Sequence, residues 1–163
     1  MYKHIMVPLD GSELAECVLP QVKMIAKQCE APPLLTLIRV ITPLKLYGGF
    51  EFGGVPEYIS PEQIQRLEDD AAKAAQVYLT KQVQLLKNDG IAAEAVVVFG
   101  LASESLTDYA EKNGVDLIVI ATHGRSGITE WFWGSVAERV LKTSKIPILM
   151  VRPNGCVVDK TKK

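Results

Sequence analysis

Val119-Ile120-Ala121-Thr122-His123-Gly124-Arg125-Ser126-Gly127-Ile128-Thr129-Glu130-Trp131-Phe132-Trp133-Gly134-Ser135-Val136 is the stretch on which the fold turns. Leu117 to Ile120 is an unbroken apolar run, the pattern of a strand buried on both faces. It stops in a loop of small, polar and glycine residues. Gly134-Ser135 then opens a helical pattern through Val136, Val140 and Leu141, with Ser135 and Glu138 spaced as a capping box. Strand, glycine-bearing loop and helix start, in that order, turn backbone N–H groups towards one point. That layout suits an anion such as a nucleotide phosphate.

The same alternation extends in both directions. Tyr2 to Leu9 reads as a first strand, closed by Asp10-Gly11-Ser12. Leu14, Val18, Val22, Ile25, Ala26 and Cys29 then mark one helix face, with a kink expected near Glu16 because Pro20 lies inside the pattern. Leu34 to Ile41 is a second strand. Ser60-Pro61-Glu62-Gln63 joins a capping serine, a proline at the first helical position and a return partner three residues on. The helix it opens is expected to bury Leu67, Ala71, Ala74, Ala75, Tyr78, Leu85 and Leu86, and to stop at Asn88-Asp89-Gly90. Ala92 to Phe99 is a third strand. After Gly100 a helix runs through Leu106, Tyr109 and Ala110 to Asn113-Gly114. Asp116 to Ala121 is the fourth strand and Ile146 to Val151 the fifth. Apolar strands alternating with helices predict an α/β fold, a doubly wound parallel sheet with helices on both faces.

Bulk properties narrow the class. The 163 residues are 48% hydrophobic and 23% charged, with a formal net charge of −1. This is the balance of one globular domain, expected over residues 1–153, with an irregular insertion at about 42–60 and a tail at 154–163. Near-neutral charge gives no field for nucleic acid, and no run approaches the ~20 apolar residues of a membrane span. The basic end, Lys160-Thr161-Lys162-Lys163, reads as a solvated terminus. Three cysteines without C-x-x-C spacing argue against a disulfide framework or a zinc site and point to a reducing, cytoplasmic setting. Cys17 and Cys29 read as small core fillers.

In an open parallel sheet, ligands bind beyond the carboxyl ends of the strands where strand order reverses. The candidates are therefore Asp10-Gly11-Ser12, the residues from Val40 to Pro43, Gly100, and Ala121 to Ser135. Gly124 and Gly127 can take positive φ and let a phosphate approach the backbone, and Gly134 does the same at the helix start. Ser126 and Ser135 supply hydroxyls and Arg125 a charge. Pro8, Ile120 and Val136 flank these groups. Two residues keep a second reading: Ser135 can cap its helix with Glu138, and Asp10 can cap the first helix with Glu13 instead of meeting a base or ribose. His123 has no nucleophile partner and does not read as catalytic. Trp131, Phe132 and Trp133 read as packing groups. No G-x-x-x-x-G-K-[ST] and no G-x-G-x-x-G follows a strand, and no His/Cys/Asp cluster has metal spacing.

Ala121-x-x-Gly124, nine residues, then Gly134-Ser135 resembles the G-x2-G-x9-G-[ST] signature of ATP-binding universal stress proteins. Ile5-Met6-Val7-Pro8-Leu9-Asp10-Gly11-Ser12 and Ile146-Pro147-Ile148-Leu149-Met150-Val151 are similar to the opening and closing strands of that family. The resemblance implies strand order 3-2-1-4-5, ATP with Mg²⁺ in the crevice, and a homodimer through the fifth strand. It implies Asp10 and the Val40 backbone at the adenine end, Ala121 and Gly124 along ribose and phosphates, and Gly134, Ser135 and Ser126 on the phosphates. The chain departs at Ala121, where the signature has glycine; a strand-end residue is expected at negative φ, where a methyl does no harm. The function expected is a stress or regulatory module acting on a downstream protein, more a binder than an enzyme. A slow ATPase, with His123 as base and Arg125 as charge clamp, and a dimeric interaction protein without nucleotide are the alternatives.

Overall fold

In the computed structural model, residues 2–44, 60–122 and 134–152 are described. The chain forms β1 (His4–Pro8), α1 (Glu13–Glu16), α2 (Leu19–Gln28), β2 (Leu34–Ile41), α3 (Pro61–Asn88), β3 (Ala93–Phe99), α4 (Ala102–Lys112), β4 (Leu117–Ala121), α5 (Ser135–Thr143) and β5 (Ile148–Val151). The five strands make one sheet ordered β3-β2-β1-β4-β5, as the resemblance implied. Every pairing is parallel, with Ile5 opposite Leu35 on one side and Leu117 on the other.

Alternate side chains of the apolar strands feed two cores. Ile5, Val7, Leu35, Leu37, Leu117 and Val119 pack with Val22 and Ala26 of α2 and Leu79, Val83 and Leu86 of α3. Met6, Ile38 and Ile118 point the other way, to Leu106 and Ala110 of α4 and Val140 of α5. Helices therefore cover both faces, and the continuous apolar reading of the strands is the mark of that double burial.

The helices correct several expectations. The first helix does not kink; it breaks after Glu16 and restarts at Leu19. Pro20 stands in the first turn of α2, where its missing N–H costs nothing, so it starts a helix instead of bending one. The capping box of α3 forms as expected, with Gln63 N–H donating to Ser60 Oγ (3.2 Å) and Ser60 N–H to Gln63 Oε1 (2.8 Å). Its buried face is Ala75, Leu79, Val83 and Leu86, whereas Leu67 and Leu85 are 52% and 48% exposed and Ala71 and Ala74 are exposed. The 28 residues of α3 extend about 42 Å, while the eight of β2 span about 26 Å. The first turns of α3 thus outrun the strands, and burial begins only at Ala75. Leu141, part of the helical pattern after Ser135, is also exposed, and β5 begins at Ile148, two residues later than expected. Cys17 is buried as expected but disulfide-bonded, and its other half lies outside the described residues; Cys29 is a free thiol.

Candidate functional site

In the sheet order, β1 and β4 are neighbours whose connections leave in opposite directions, which opens a crevice beyond their carboxyl ends. A cavity of about 310 Å³ lies there, within the size range of small-molecule sites. Its lining joins Pro8, Asp10, Val40, Ile120, Ala121, Gly134, Ser135 and Val136, while Gly11, Ser12 and the residues from Ile41 to Pro43, also in the candidate segments, are not part of it. His123, Gly124, Arg125, Ser126 and Gly127 lie outside the described residues, as do Trp131, Phe132 and Trp133.

The walls are mostly apolar. Ile38 and Val40 come from β2, Ile120 and Ala121 from β4, and Ala102 and Leu106 from α4. The contribution of α4 was not anticipated. Its signal was available in the spacing: residues four apart share a helix face, and the Ala102–Leu106 pair puts a small and a large apolar side chain on it. Ile38, Leu9, Ala15 and Ala137 also belong to the lining and escaped notice because they read as ordinary core. Gly100 does not line the cavity; its N–H closes the end of β3 on Ile41 O at 3.0 Å.

Asp10 does not cap α1. Ser12 does, its Oγ accepting from Ala15 N–H at 3.1 Å. Asp10 Oδ1 in turn accepts from Ser12 N–H (2.8 Å) and Ser12 Oγ–H (2.5 Å). This holds the carboxylate in place, and its Oδ2 has no partner among the described residues. Gly11 makes the turn with φ +82°, and a β-carbon there would stand 3.0 Å from Nη1 of Arg39. The Arg39 guanidinium also lies 5.9 Å from the centre of the Tyr78 ring. Burial pushes the Tyr78 phenol well above its usual range, aided by its hydrogen bond to Glu16 (2.8 Å) and the Glu16 and Asp10 charges; Arg39 works against them. The turn bearing Asp10 is thus backed by a packed, charged layer on the opposite side of the sheet.

The start of α5 also differs from the expected capping box. Gly134, not Ser135, is the N-cap, and no side chain caps the helix. Its φ of −43° is open to any residue, so glycine is not required there for positive φ. Gly134 N–H donates to Thr122 O at 2.6 Å, and Thr122 N–H to Val151 O at 3.0 Å. Thr122 thus joins the start of α5 to the end of β5. Glu138, the expected return partner, turns instead to Lys142 at 2.6 Å, and that contact lowers its carboxyl from the usual value. The N–H groups of Ser135, Val136 and Ala137 therefore have no acceptor among the described residues, and neither has the Ser135 hydroxyl. All three residues line the cavity. First-turn donors without an acceptor among the described residues, together with the helix dipole, make this end of the crevice receptive to negative charge.

Ala121 is the last residue of β4 and is paired with Val151, so its backbone is extended. The methyl carries no conformational penalty there. Among the described residues there is no cluster of three or more His, Cys, Asp or Glu that could hold a metal, and no helix is long and apolar enough to cross a membrane.

Comparison with known proteins adds a second line. The model of the universal stress protein family matches residues 1–152. Universal stress protein MJ0531 of Methanocaldococcus jannaschii is 30% identical over 152 residues, covering 93% of this chain and 83% of its own length. Universal stress protein MJ0577 of the same organism is 31% identical, covering 93% and 96%. The solved structure of MJ0577 superposes with a TM-score of 0.78 at 28% identity over 93% of this chain and 96% of that one. A universal stress family protein of Arabidopsis thaliana, solved with AMP bound, shares the fold at a TM-score of 0.62 and 16% identity, over 92% and 91%.

Proposed function

The chain belongs to the universal stress protein family, and on that premise we propose that it binds ATP in the crevice between β1 and β4 as a regulatory module. The observation that carries this reading is the pairing, in one cavity, of an apolar slot ending at Asp10 with the uncapped start of α5.

The chemistry of the two ends differs, and ATP has matching ends. A purine base is flat and apolar on its faces, which suits the walls formed by Val40, Leu106 and Ile120. The backbone at Val40 supplies hydrogen-bonding groups to its edge. Oδ2 of Asp10, which has no partner among the described residues, is an acceptor for ribose hydroxyls or an exocyclic amine. The phosphates fall at the N–H groups of Ser135, Val136 and Ala137 and the Ser135 hydroxyl, and His123, Gly124, Arg125, Ser126 and Gly127, earlier in the same sequence motif, are proposed as further contacts. Mg²⁺ finds no carboxylate cluster among the described residues and rides on the phosphates and water. The free edge of β5, where Leu149 is 37% exposed, offers the backbone groups for a homodimer. ATP ordering the crevice then presents a surface to a downstream protein.

Thermal unfolding with and without Mg-ATP tests the reading. At a hundred times its dissociation constant a ligand adds about 2.7 kcal/mol, which for a chain of this length is a rise of roughly 5–10 °C. A midpoint unmoved by millimolar ATP and by other nucleotides rules the proposal out.

A further inference from the structure

At the amino edge of the sheet, opposite the crevice, a chain of side-chain hydrogen bonds crosses three strands. Nε2 of His4 on β1 lies 2.7 Å from Oγ1 of Thr36 on β2, and Thr36 Oγ1 donates to Glu94 Oε1 on β3 at 2.6 Å. The other ring nitrogen, Nδ1, is 3.1 Å from the backbone carbonyl oxygen of Asn113, the residue that closes α4. Thr36 is fully buried and Glu94 is exposed.

Counting protons fixes the state in which all three contacts are hydrogen bonds. A carbonyl oxygen only accepts, so Nδ1 carries a proton. The Thr36 hydroxyl has one proton, and the Glu94 carboxylate takes it. Nε2 must then donate to Thr36 as well. An imidazole that donates from both nitrogens is an imidazolium. A neutral ring leaves one contact unmade, because Thr36 cannot give its single proton to both neighbours.

We infer that His4, Thr36 and Glu94 form a proton-gated clasp, which ties β1, β2, β3 and the end of α4 together while His4 carries an imidazolium and loses a bond when the ring is neutral. The surroundings agree in sign. The closing carbonyls of α4 present the negative end of the helix dipole to the ring. From the segment before β4, the Asp116 carboxylate accepts from the backbone N–H of His4 (3.1 Å) and of Lys3 (2.7 Å). Glu94 faces the clasp from β3, and β2 offers only the Thr36 hydroxyl. On α4, Lys112 is turned to Asp108 at 3.5 Å. The Tyr109 phenol, which has Glu94 and Thr36 as neighbours, brings its own proton and so does not release the one Nε2 must give. The clasp is remote from the nucleotide crevice, and its test does not involve ATP.

Stability follows the proton. The unfolded chain does not form the clasp, so the folded state gains from it at low pH and loses that gain as pH rises and the ring deprotonates. The test measures thermal midpoints across pH for the wild type, Glu94→Gln and Thr36→Val, with nitrogen NMR of the imidazole rings reporting when His4 loses its proton. His123→Gln assigns the signals, since the chain has two histidines. An amide at position 94 can donate to Thr36, freeing the Thr36 proton for a neutral ring, so Glu94→Gln removes the dependence without breaking the chain of bonds. Across the interval in which His4 deprotonates, the wild-type midpoint should fall by about 2–4 °C relative to Glu94→Gln. Parallel curves for wild type and Glu94→Gln over that interval would overturn the clasp. So would spectra showing the folded protein with one proton on the His4 ring at pH values where the midpoint is still at its acid plateau. Thr36→Val, with no hydroxyl to relay, should lose the dependence even if its midpoint is lower throughout.

Discussion

The starts of α3 and α5 solve the same problem in opposite ways. Each helix begins with first-turn N–H groups that have no carbonyl behind them. At α3, Ser60 and Gln63 close on one another, and the helix satisfies its own donors. At α5 the equivalent pattern, Ser135 with Glu138, exists in the sequence but not in space; Gly134 takes the cap position, and the N–H groups of the cavity-lining residues Ser135, Val136 and Ala137 have no acceptor among the described residues. A helix that starts clear of the crevice closes its end, while one that starts beside Asp10 leaves its end open. The difference marks where a ligand is expected.

Making α5 resemble α3 tests the contrast hardest. Gly134→Asp places a capping carboxylate at a backbone geometry any residue tolerates, engaging the first-turn donors and repelling phosphate. ATP affinity measured by calorimetry should fall at least about tenfold, or 1.4 kcal/mol, while the thermal midpoint of the ligand-free protein rises. Affinity retained alongside increased stability would separate the open helix end from binding. The reverse change, Ser60→Ala, should cost about 1 kcal/mol of stability in denaturant unfolding and leave ATP affinity unchanged. Ser135→Ala removes one hydroxyl and no N–H, so affinity should drop by only about 0.5–1.5 kcal/mol; a larger loss would shift weight from backbone to side chain.

The smallest effect concerns the layer behind Asp10. Because burial and Glu16 hold the Tyr78 phenol up in the folded protein, its contribution to stability is complete below the ordinary tyrosine range, near pH 10. It is lost as pH rises through the higher folded value. Tyr78→Phe should flatten the alkaline fall in stability, read from unfolding midpoints between about pH 9 and 11; an unchanged slope would remove Tyr78 from that account.

Strand positions were legible because double burial leaves long apolar runs, and β2 was found from Leu34 to Ile41 without error. Ser60-Pro61-Glu62-Gln63 was legible because all the information in a capping box is local. Ser135 and Asp10 were not, since two candidate caps stand side by side in each case and tertiary hydrogen bonds choose between them. Thr122 holds Gly134 at one site, and Ser12 takes the cap from Asp10 at the other. The face of α3 was misjudged because periodicity reports a stripe but not how much of a helix lies over a sheet. Asp10, Val40, Ala121 and Ser135 were brought to one cavity by strand order, which the family resemblance supplied and spacing alone did not.

The central claim is that the open start of α5 receives the phosphates of a nucleotide seated between β1 and β4. It is tested most directly by following the backbone amide signals of Ser135, Val136 and Ala137 by NMR while Mg-ATP, and separately adenosine, is titrated in. The account predicts that ATP moves these three signals as hydrogen bonds to phosphate form, and that adenosine perturbs Val40 and Ile120 but leaves the three amides nearly in place. Binding of ATP with these amides unmoved would contradict it.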